Sequence, residues 1–255
     1  MMDIEEFLSF ACKMADLSRQ IILRPKEVSQ SFELKDDLSP VTIIDCEIEE
    51  TLKKTIAEKY PEHGFFGEET GRDSLHAPFS WVIDPLDGTK AFIAGLPVYS
   101  TLIALTFEGN PILGVMDFPA TQERFVAHKS GLTYRNGLPC RTRLDPKEPI
   151  MAISNPEGFE VSEKPLLDKV RSLASFAVYG GSSYVYGSLA AGRIDLAMDS
   201  GLDPFDYLAL APVIERAGGL ITDWEGNNLT INSGRRILAS GSPRLHAKAI
   251  EIINS

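Results

Sequence analysis

The sequence contains few cysteines and histidines and no long apolar run, and each scarcity argues against a class of protein. Its 255 residues include three cysteines and four histidines, scattered with no metal-ligand spacing between them. We therefore expect no disulfide framework and no zinc site, but buried reduced thiols and structural histidines. No apolar stretch is long enough for a membrane-spanning helix. The cysteines are Cys12, Cys46 and Cys140, and the histidines are His63, His76, His128 and His246.

Basic residues are also scarce. The chain has 25 lysines and arginines against 36 aspartates and glutamates, which gives a formal net charge of −11 and a pI near 4.9. Such a balance predicts no nucleic acid partner and no binding to anionic membranes. The N-terminal segment 1–6 is acidic, unlike a signal peptide, so we expect a cytoplasmic protein.

Two aspartates lie three positions apart immediately after an apolar run. Residues 81–83 (Trp-Val-Ile) predict a buried strand that ends at Asp84 and Pro85, and Asp87 then precedes a Gly-Thr pair that could open a helix. Hard oxygen ligands beside free helix N–H groups suit Mg²⁺ together with a phosphate group. Asp-Pro and Asp-Gly are also common turn dipeptides, so this stretch alone leaves a surface turn as the alternative.

Two further acidic elements occur elsewhere in the chain. Residues 64–67 predict a short strand that ends in the pair Glu68-Glu69, which could equally be a solvated acidic face. Asp206 begins a helix predicted over 206–217, because apolar residues recur there at three- and four-residue steps and two glycines follow. Alone, Asp206 would be interpreted as a simple N-cap.

Hydrophobic periodicity predicts two different halves. Amphipathic helices at 4–22, with Pro25 as the expected stop, and from 44 to Pro61 precede the first acidic motifs. β-Branched runs follow these motifs, with short turns typical of an antiparallel meander. We therefore predict an α+β half over residues 1–145 and an α/β half over 146–255, joined without a linker into one compact unit. The predicted strands after the acidic motifs are 98–107, 112–118, 123–127, 150–154, 175–179, 194–198, 220–222 and 237–240, and the later helices are 162–173, 183–191, 206–217 and 243–253.

Taken together, these acidic motifs resemble the inositol monophosphatase family in their order and spacing. Residues 35–45, Lys-Asp-Asp-Leu-Ser-Pro-Val-Thr-Ile-Ile-Asp, are similar to the segment that precedes the second helix of that family. The likeness covers roughly residues 35–240. It implies a layered sandwich of alternating helices and sheets, of the inositol monophosphatase and fructose-bisphosphatase type, with its active site between the two halves. It also implies a phosphoric monoester hydrolase, a Mg²⁺-dependent enzyme for small phosphate esters.

The same resemblance implies two to three Mg²⁺ ions and a ligand set. Glu68, Asp84 and the backbone carbonyl of Leu86 would hold the first ion, and Asp84 would bridge to a second ion held by Asp87 and Asp206. A weaker third ion would lie near Glu68. By the same likeness we expect inhibition by lithium and a homodimer.

Catalytic roles follow from the resemblance as well. The N–H groups of Gly88 and Thr89 would bind the phosphate group. The Thr89 hydroxyl and Asp45, together with Glu68, would orient and deprotonate a metal-activated water that attacks phosphorus. Asp45 could otherwise be an ordinary exposed acid on a helix face.

The substrate follows least directly from the sequence. By resemblance, Gly180, Gly181, Ser182 and Asp199 should face the alcohol part of the substrate. Several segments resemble the histidinol-phosphate phosphatase branch, which implies histidinol phosphate and a place in histidine biosynthesis, although that branch tends to carry aspartate at position 182. The alternatives are inositol 1-phosphate, another polyol or sugar phosphate, and, more remotely, a catalytically silent metal-binding regulatory protein. The segments that carry this likeness are 92–97, 179–181, 184–187, 202–207, 212–215 and 221–226.

Overall fold

Two β-sheets and the helices around them organise the chain. The computed structural model describes residues 3–24, 32–36, 39–73 and 77–255. Within these ranges one sheet has eight strands, in the order β10-β9-β8-β7-β6-β5-β3-β4, and another has five, in the order β12-β11-β13-β15-β14. No helix in the described ranges is both long and apolar enough to cross a bilayer. The strands of the larger sheet are β3 (Gly64–Gly67), β4 (Gly71–Asp73), β5 (Phe79–Asp87), β6 (Ser100–Phe107), β7 (Asn110–Phe118), β8 (Glu123–His128), β9 (Tyr134–Arg135) and β10 (Leu138–Pro139).

The smaller sheet lies wholly in the C-terminal part of the chain. Strand β11 pairs in parallel with β12 and β13, whereas β15 is antiparallel to both β13 and β14, so the sheet is mixed. Residue 145, the predicted boundary between the halves, lies between the last strand of one sheet and the first strand of the other. The strands are β11 (Ile150–Ile153), β12 (Phe176–Tyr179), β13 (Leu196–Ser200), β14 (Leu220–Thr222) and β15 (Arg236–Ser240), and a separate hairpin is formed by β1 (Phe32–Leu34) and β2 (Pro40–Thr42).

Helices fill three layers, before, between and behind the sheets. Helices α1 and α2 share an apolar cluster with one face of the larger sheet, and α5 and α7 pack between the two sheets. Helices α4 and α8 cover the outer face of the smaller sheet. This α-β-α-β-α order confirms the predicted layered sandwich. The helices are α1 (Ile4–Ile22), α2 (Ile43–Lys59), α3 (Thr89–Ile93), α4 (Lys164–Arg171), α5 (Tyr184–Ala190), α6 (Pro204–Tyr207), α7 (Leu210–Arg216) and α8 (Pro243–Ile253).

Most predicted elements are confirmed within a few residues. The meander is antiparallel throughout β6, β7 and β8, and α1 and α2 cover the predicted stretches. Residue 25, the expected stop for α1, lies outside the described residues. The hairpin β1–β2 and the short strands β4, β9 and β10 were not predicted, because elements this short carry little periodicity, although β14, also three residues long, was predicted.

Strand β5 corrects the prediction that the apolar run ends at Asp84. The strand continues to Asp87, and its register against β6 shifts between these two aspartates. Pro85 lies within the shift, where a ladder interruption tolerates a residue without an N–H group. The irregularity therefore places both aspartates at the same end of the sheet while the strand stays continuous.

The helix predicted over 206–217 is also wrong in detail, since it is divided into α6 and α7. Pro212 cannot donate the hydrogen bond that a continuous helix would require to the carbonyl of Leu208, but it fits the first turn of α7. Asp206 consequently lies inside α6, and Asp203 is the N-cap. The alternative interpretation of Asp206 as a simple N-cap is therefore wrong, since Asp203 holds that position.

The cysteine prediction is partly wrong. All three thiols are free, as expected, but Cys46 is exposed on α2 and the other two are only half-buried. The interpretation of all three as buried core residues therefore fails.

The histidines occupy structural positions, although two are more buried than expected. His128 and His246 are buried, and His63 accepts a hydrogen bond from the Trp81 indole over 3.1 Å. His76 lies outside the described residues. None of the three described histidines joins the acidic cluster described below.

Candidate functional site

Three carboxylates converge where β5 ends beside α6. Asp84, Asp87 and Asp206 each offer one oxygen, and these oxygens lie within 4.8 Å of one another. Burial, together with the neighbouring negative charges, raises the pKa of Asp84 and Asp206 well above the ordinary aspartate value, and burial also raises the pKa of Asp87. Without a cation this cluster favours protonation. An all-oxygen, anionic donor set of this kind fits a hard divalent cation.

In Asp84 and Asp206, a backbone N–H group binds one of the two carboxylate oxygens. The Leu86 N–H donates to Asp84 Oδ1 over 3.0 Å, and the Asp203 N–H donates to Asp206 Oδ2 over 2.6 Å. In the described part of the chain no donor binds the second oxygen of either carboxylate. One oxygen of each is therefore fixed and the other is available as a ligand.

Asp87 is held by two serines, one from each half of the chain. Its Oδ2 accepts hydrogen bonds from the Ser183 N–H over 2.8 Å and from the Ser100 hydroxyl over 3.2 Å. The two serine hydroxyls lie 2.7 Å apart. Sequence reasoning missed both serines, because no local pattern separates them from any other serine.

Glu68 lies beside the three aspartates, at the end of β3. Lys35 Nζ is 2.9 Å from Glu68 Oε1 and 2.7 Å from Glu69 Oε1. Burial raises the pKa of Glu68 to about 7, although Lys35 acts in the opposite direction. The motif at 35–45 predicts no role for Lys35, but the structure makes it the cation that neutralises both glutamates.

A carboxylate that sequence reasoning missed, that of Glu49, holds this acidic turn in place. Glu49 is fully buried on α2 and accepts the backbone N–H groups of Glu69 over 2.9 Å and Thr70 over 2.6 Å. A Cβ atom at Gly67 would lie 2.3 Å from Glu49 Oε1, so this position requires glycine. The only signal in the sequence is an acid on the apolar face of a helix.

Thr89 and Asp45 form a hydrogen-bonded pair next to the cluster. Thr89 Oγ1 lies 3.0 Å from Asp45 Oδ1 and 2.9 Å from the Leu86 carbonyl oxygen. Asp45 has 0% exposure, and its other oxygen accepts the Thr42 N–H over 2.8 Å, so the alternative of an exposed helix-face acid is wrong. Burial raises the pKa of Asp45, partly offset by its donors Thr42 and Thr89.

The predicted phosphate loop and the predicted substrate loop lie against each other. Gly88 has φ of +80°, and a Cβ atom there would lie 2.8 Å from the Ser182 hydroxyl oxygen. Gly180, Gly181 and Ser182 all have positive φ, at +82°, +102° and +48°. In the described part of the chain the N–H groups of Gly88 and Thr89 have no protein acceptor.

Asp199 does not lie open to a ligand. It has 0% exposure, and its carboxylate accepts the N–H groups of Ser154 over 3.2 Å and Asn155 over 3.0 Å and the Tyr186 hydroxyl over 2.6 Å. These bonds connect the ends of β11 and β13 to α5. The geometry gives Asp199 a structural role, and the predicted substrate contact finds no support in it.

Comparisons with known proteins point in one direction. The model of the inositol monophosphatase family matches residues 3–255. The bifunctional phosphatase IMPL2, chloroplastic, of Arabidopsis thaliana is 37% identical to this chain, in a match that covers 98% of this chain and 75% of the relative. A histidinol-phosphatase of Chlorobaculum parvum is 32% identical, in a match that covers 84% of this chain and 83% of the relative. Among solved structures, that of an inositol monophosphatase from Zymomonas mobilis superposes with a TM-score of 0.89 at 35% identity. The match covers 100% of both chains.

Proposed function

Because the chain belongs to the inositol monophosphatase family of phosphoric monoester hydrolases, we propose that it hydrolyses histidinol phosphate with two or three Mg²⁺ ions. The observation that carries the proposal is the placement of three converging carboxylates beside a threonine–aspartate pair and two free N–H groups. A silent regulatory protein would be expected to have lost part of this set.

The proposed ligand set uses the free oxygens of the cluster. Glu68, Asp84 and the Leu86 carbonyl would hold one Mg²⁺, Asp84 would bridge to a second ion shared with Asp87 and Asp206, and a third would lie near Glu68. The short spacing of the three aspartates and the raised pKa values of Asp84 and Asp206 support this assignment, since a cation relieves their repulsion. When bound, these ions supply positive charge that neutralises the phosphate and acidifies water.

The chain itself supplies orientation and proton transfer. The N–H groups of Gly88 and Thr89 donate to phosphate oxygens. The attacking water gives its proton to Thr89 Oγ1, which passes its own proton to Asp45 Oδ1 across the 3.0 Å contact. The water oxygen bonds to phosphorus, the ester P–O bond breaks on the opposite side, and the leaving alkoxide takes a proton from solvent.

The choice of histidinol phosphate is supported by relatives and by segment likeness. A relative at 32% identity is named a histidinol-phosphatase, and the segments noted above resemble that branch. The loop that includes Ser182 lies against Gly88, where it can contact the part of the ester next to the phosphate group.

Inositol 1-phosphate is the second candidate, and two observations favour it. Ser182 replaces the aspartate of the histidinol branch, and the structure with a TM-score of 0.89 is an inositol monophosphatase. A neutral hydroxyl at position 182 suits a polyol at least as well as it suits an amine.

A phosphate-release panel separates these candidates. Purified protein is assayed with Mg²⁺ on histidinol phosphate, inositol 1-phosphate, fructose bisphosphate and adenosine bisphosphate, each with and without chelator. We expect the highest kcat/KM on histidinol phosphate and no release after chelation. A higher kcat/KM on inositol 1-phosphate would overturn the substrate assignment, and activity that survives chelation would overturn the metal assignment.

A further inference from the structure

An exposed ion pair joins the phosphate loop to the C-terminal half of the chain. Lys90, the residue directly after Thr89 in α3, has its Nζ 3.4 Å from Oε2 of Glu157. Glu157 belongs to the 3₁₀ turn Pro156–Gly158, which follows β11. The two side chains are 67% and 84% exposed. Neither residue has a role in the ligand set or in the proton transfer described above.

The turn that carries Glu157 is packed closely against the end of β13. A Cβ atom at Gly158 would lie 2.2 Å from the Ser200 carbonyl oxygen, and one at Gly201 would lie 3.3 Å from the Gly158 Cα atom. The backbone of the turn therefore packs directly on the segment that leads from β13 towards Asp206. The Asn155 N–H, just before the turn, is held by the buried carboxylate of Asp199.

Lys90 and Glu157 thus meet from two different elements, α3, which begins at Thr89 of the proposed phosphate loop, and the turn after β11. Their single contact is long, and both groups remain accessible to solvent, so water competes with the pair and each partner can be exchanged at little cost. A ligand that brings one anion and one cation can replace both halves of the pair. The phosphate group of a polyol phosphate can pair with the Lys90 ammonium group, but its neutral polyol part leaves the Glu157 carboxylate without a cation.

We infer that Glu157 is a specificity-determining residue that binds the ammonium group of an aminated phosphate ester, while Lys90 turns to the phosphate group of the same ester. This inference rests on the proposed function and deepens it, because it names the residue that separates amino-alcohol phosphates from polyol phosphates.

The test compares two esters that differ in one group. Histidinol phosphate and the same ester with a hydroxyl in place of the amino group are assayed with the unmodified enzyme and with Glu157→Gln. Glu157→Gln should raise KM for the amine roughly five-fold, as expected for the loss of one exposed ion pair, without changing kcat for the amine. KM and kcat for the hydroxyl ester should stay unchanged. Lys90→Gln should raise KM for both esters alike.

Asp168→Asn is the matched control, because Asp168 forms a similarly exposed ion pair with Arg171 on α4. It should leave both esters unchanged. If Glu157→Gln changes KM equally for the two esters, or for neither, the inference is wrong. The proposed function still holds in that case, provided that the unmodified enzyme hydrolyses histidinol phosphate. An unmodified enzyme that hydrolyses both esters equally well would overturn the inference alone, whereas an unmodified enzyme that releases no phosphate from histidinol phosphate would overturn the proposed function.

Discussion

The backbone N–H of Ser183 donates to Asp87 Oδ2 over 2.8 Å, and this bond ties the C-terminal half of the chain to the acidic cluster. Asp87 ends β5 of the larger sheet, whereas Ser183 immediately precedes α5 and follows the loop 180–182. The position of that loop is therefore fixed relative to a proposed metal ligand. Binding of the cation and binding of the substrate are expected to depend on each other through this contact.

Replacing a proposed bridging ligand should separate folding from function. In chelator, Asp84→Asn should melt a few degrees above the unmodified protein, because an amide is neutral at every pH whereas the buried carboxyl must either take up a proton or repel its neighbours. About 1 kcal/mol corresponds to roughly 2–4 °C at this size. With Mg²⁺, only the unmodified protein should gain stability and activity. Thermal melts and phosphate release measure both, with the exposed Glu58→Gln as control. Near-normal turnover of Asp84→Asn would contradict the bridging role.

The metal-free protein should lose stability as pH rises. The pKa of Glu68 is raised from 4.5 to about 7 in the folded protein, and burial together with neighbouring negative charges also raises the pKa of Asp84 and Asp206 well above the ordinary aspartate value. A raised pKa means that the folded state binds protons more tightly than the unfolded state, so its contribution is complete below pH 4.5 and is lost through about pH 7 and above. Melting curves in chelator should show this decline, and saturating Mg²⁺ should suppress it. Parallel pH profiles with and without Mg²⁺ would disprove the link to the cluster.

The Thr89 hydroxyl should matter for turnover rather than for binding. Thr89→Ala removes the group that lies 3.0 Å from Asp45, and kcat should fall by about 10²–10⁴-fold, the usual contribution of general acid–base catalysis. Thr89→Ser keeps a hydroxyl and should retain most of the activity. Steady-state kinetics on one substrate tests the pair, and equal losses in the two variants would indicate that the methyl group, through packing, matters more than the proton path.

Lithium should inhibit turnover if the second ion site resembles that of the family. Li⁺ is a small, hard, singly charged ion that suits the carboxylate oxygens of Asp87 and Asp206, and we expect it to occupy that site after turnover and slow phosphate release. Activity is titrated with lithium chloride against potassium chloride at equal ionic strength. Identical curves for the two salts would show that this site differs from the inositol enzymes.

A carboxylate at position 182 should shift the substrate preference. Ser182 already has φ of +48°, a region that aspartate tolerates better than most residues, so Ser182→Asp should fold. A new charge-assisted hydrogen bond of about 1.5–3 kcal/mol should raise kcat/KM on histidinol phosphate roughly ten- to a hundred-fold and leave inositol 1-phosphate unchanged or worse. If the unmodified enzyme prefers inositol 1-phosphate and Ser182→Asp changes neither value, the histidinol assignment is wrong.

Local patterns were sufficient for most elements of the fold. The 3.6-residue period of apolar residues in α1 and α2 follows from the burial of one helix face, so the spacing alone predicts these helices. The short turns between apolar runs likewise predict the meander. The acidic motifs could be interpreted only in combination, because each of them alone is also compatible with a surface turn, a solvated face or a helix N-cap. The break at Pro212 was also present in the sequence and was missed, since periodicity was given more weight than the missing N–H group.

Only the tertiary structure decided which groups meet. The pairing of Thr89 with Asp45, the support of the Glu68 turn by Glu49, and the contact of Ser183 with Asp87 join residues far apart in the chain, and no short-range pattern encodes them. The burial of Asp199 is of the same kind. A polar side chain can face a ligand or the protein's own backbone, and the sequence records its chemistry, whereas packing of the two sheets decides which partner it reaches.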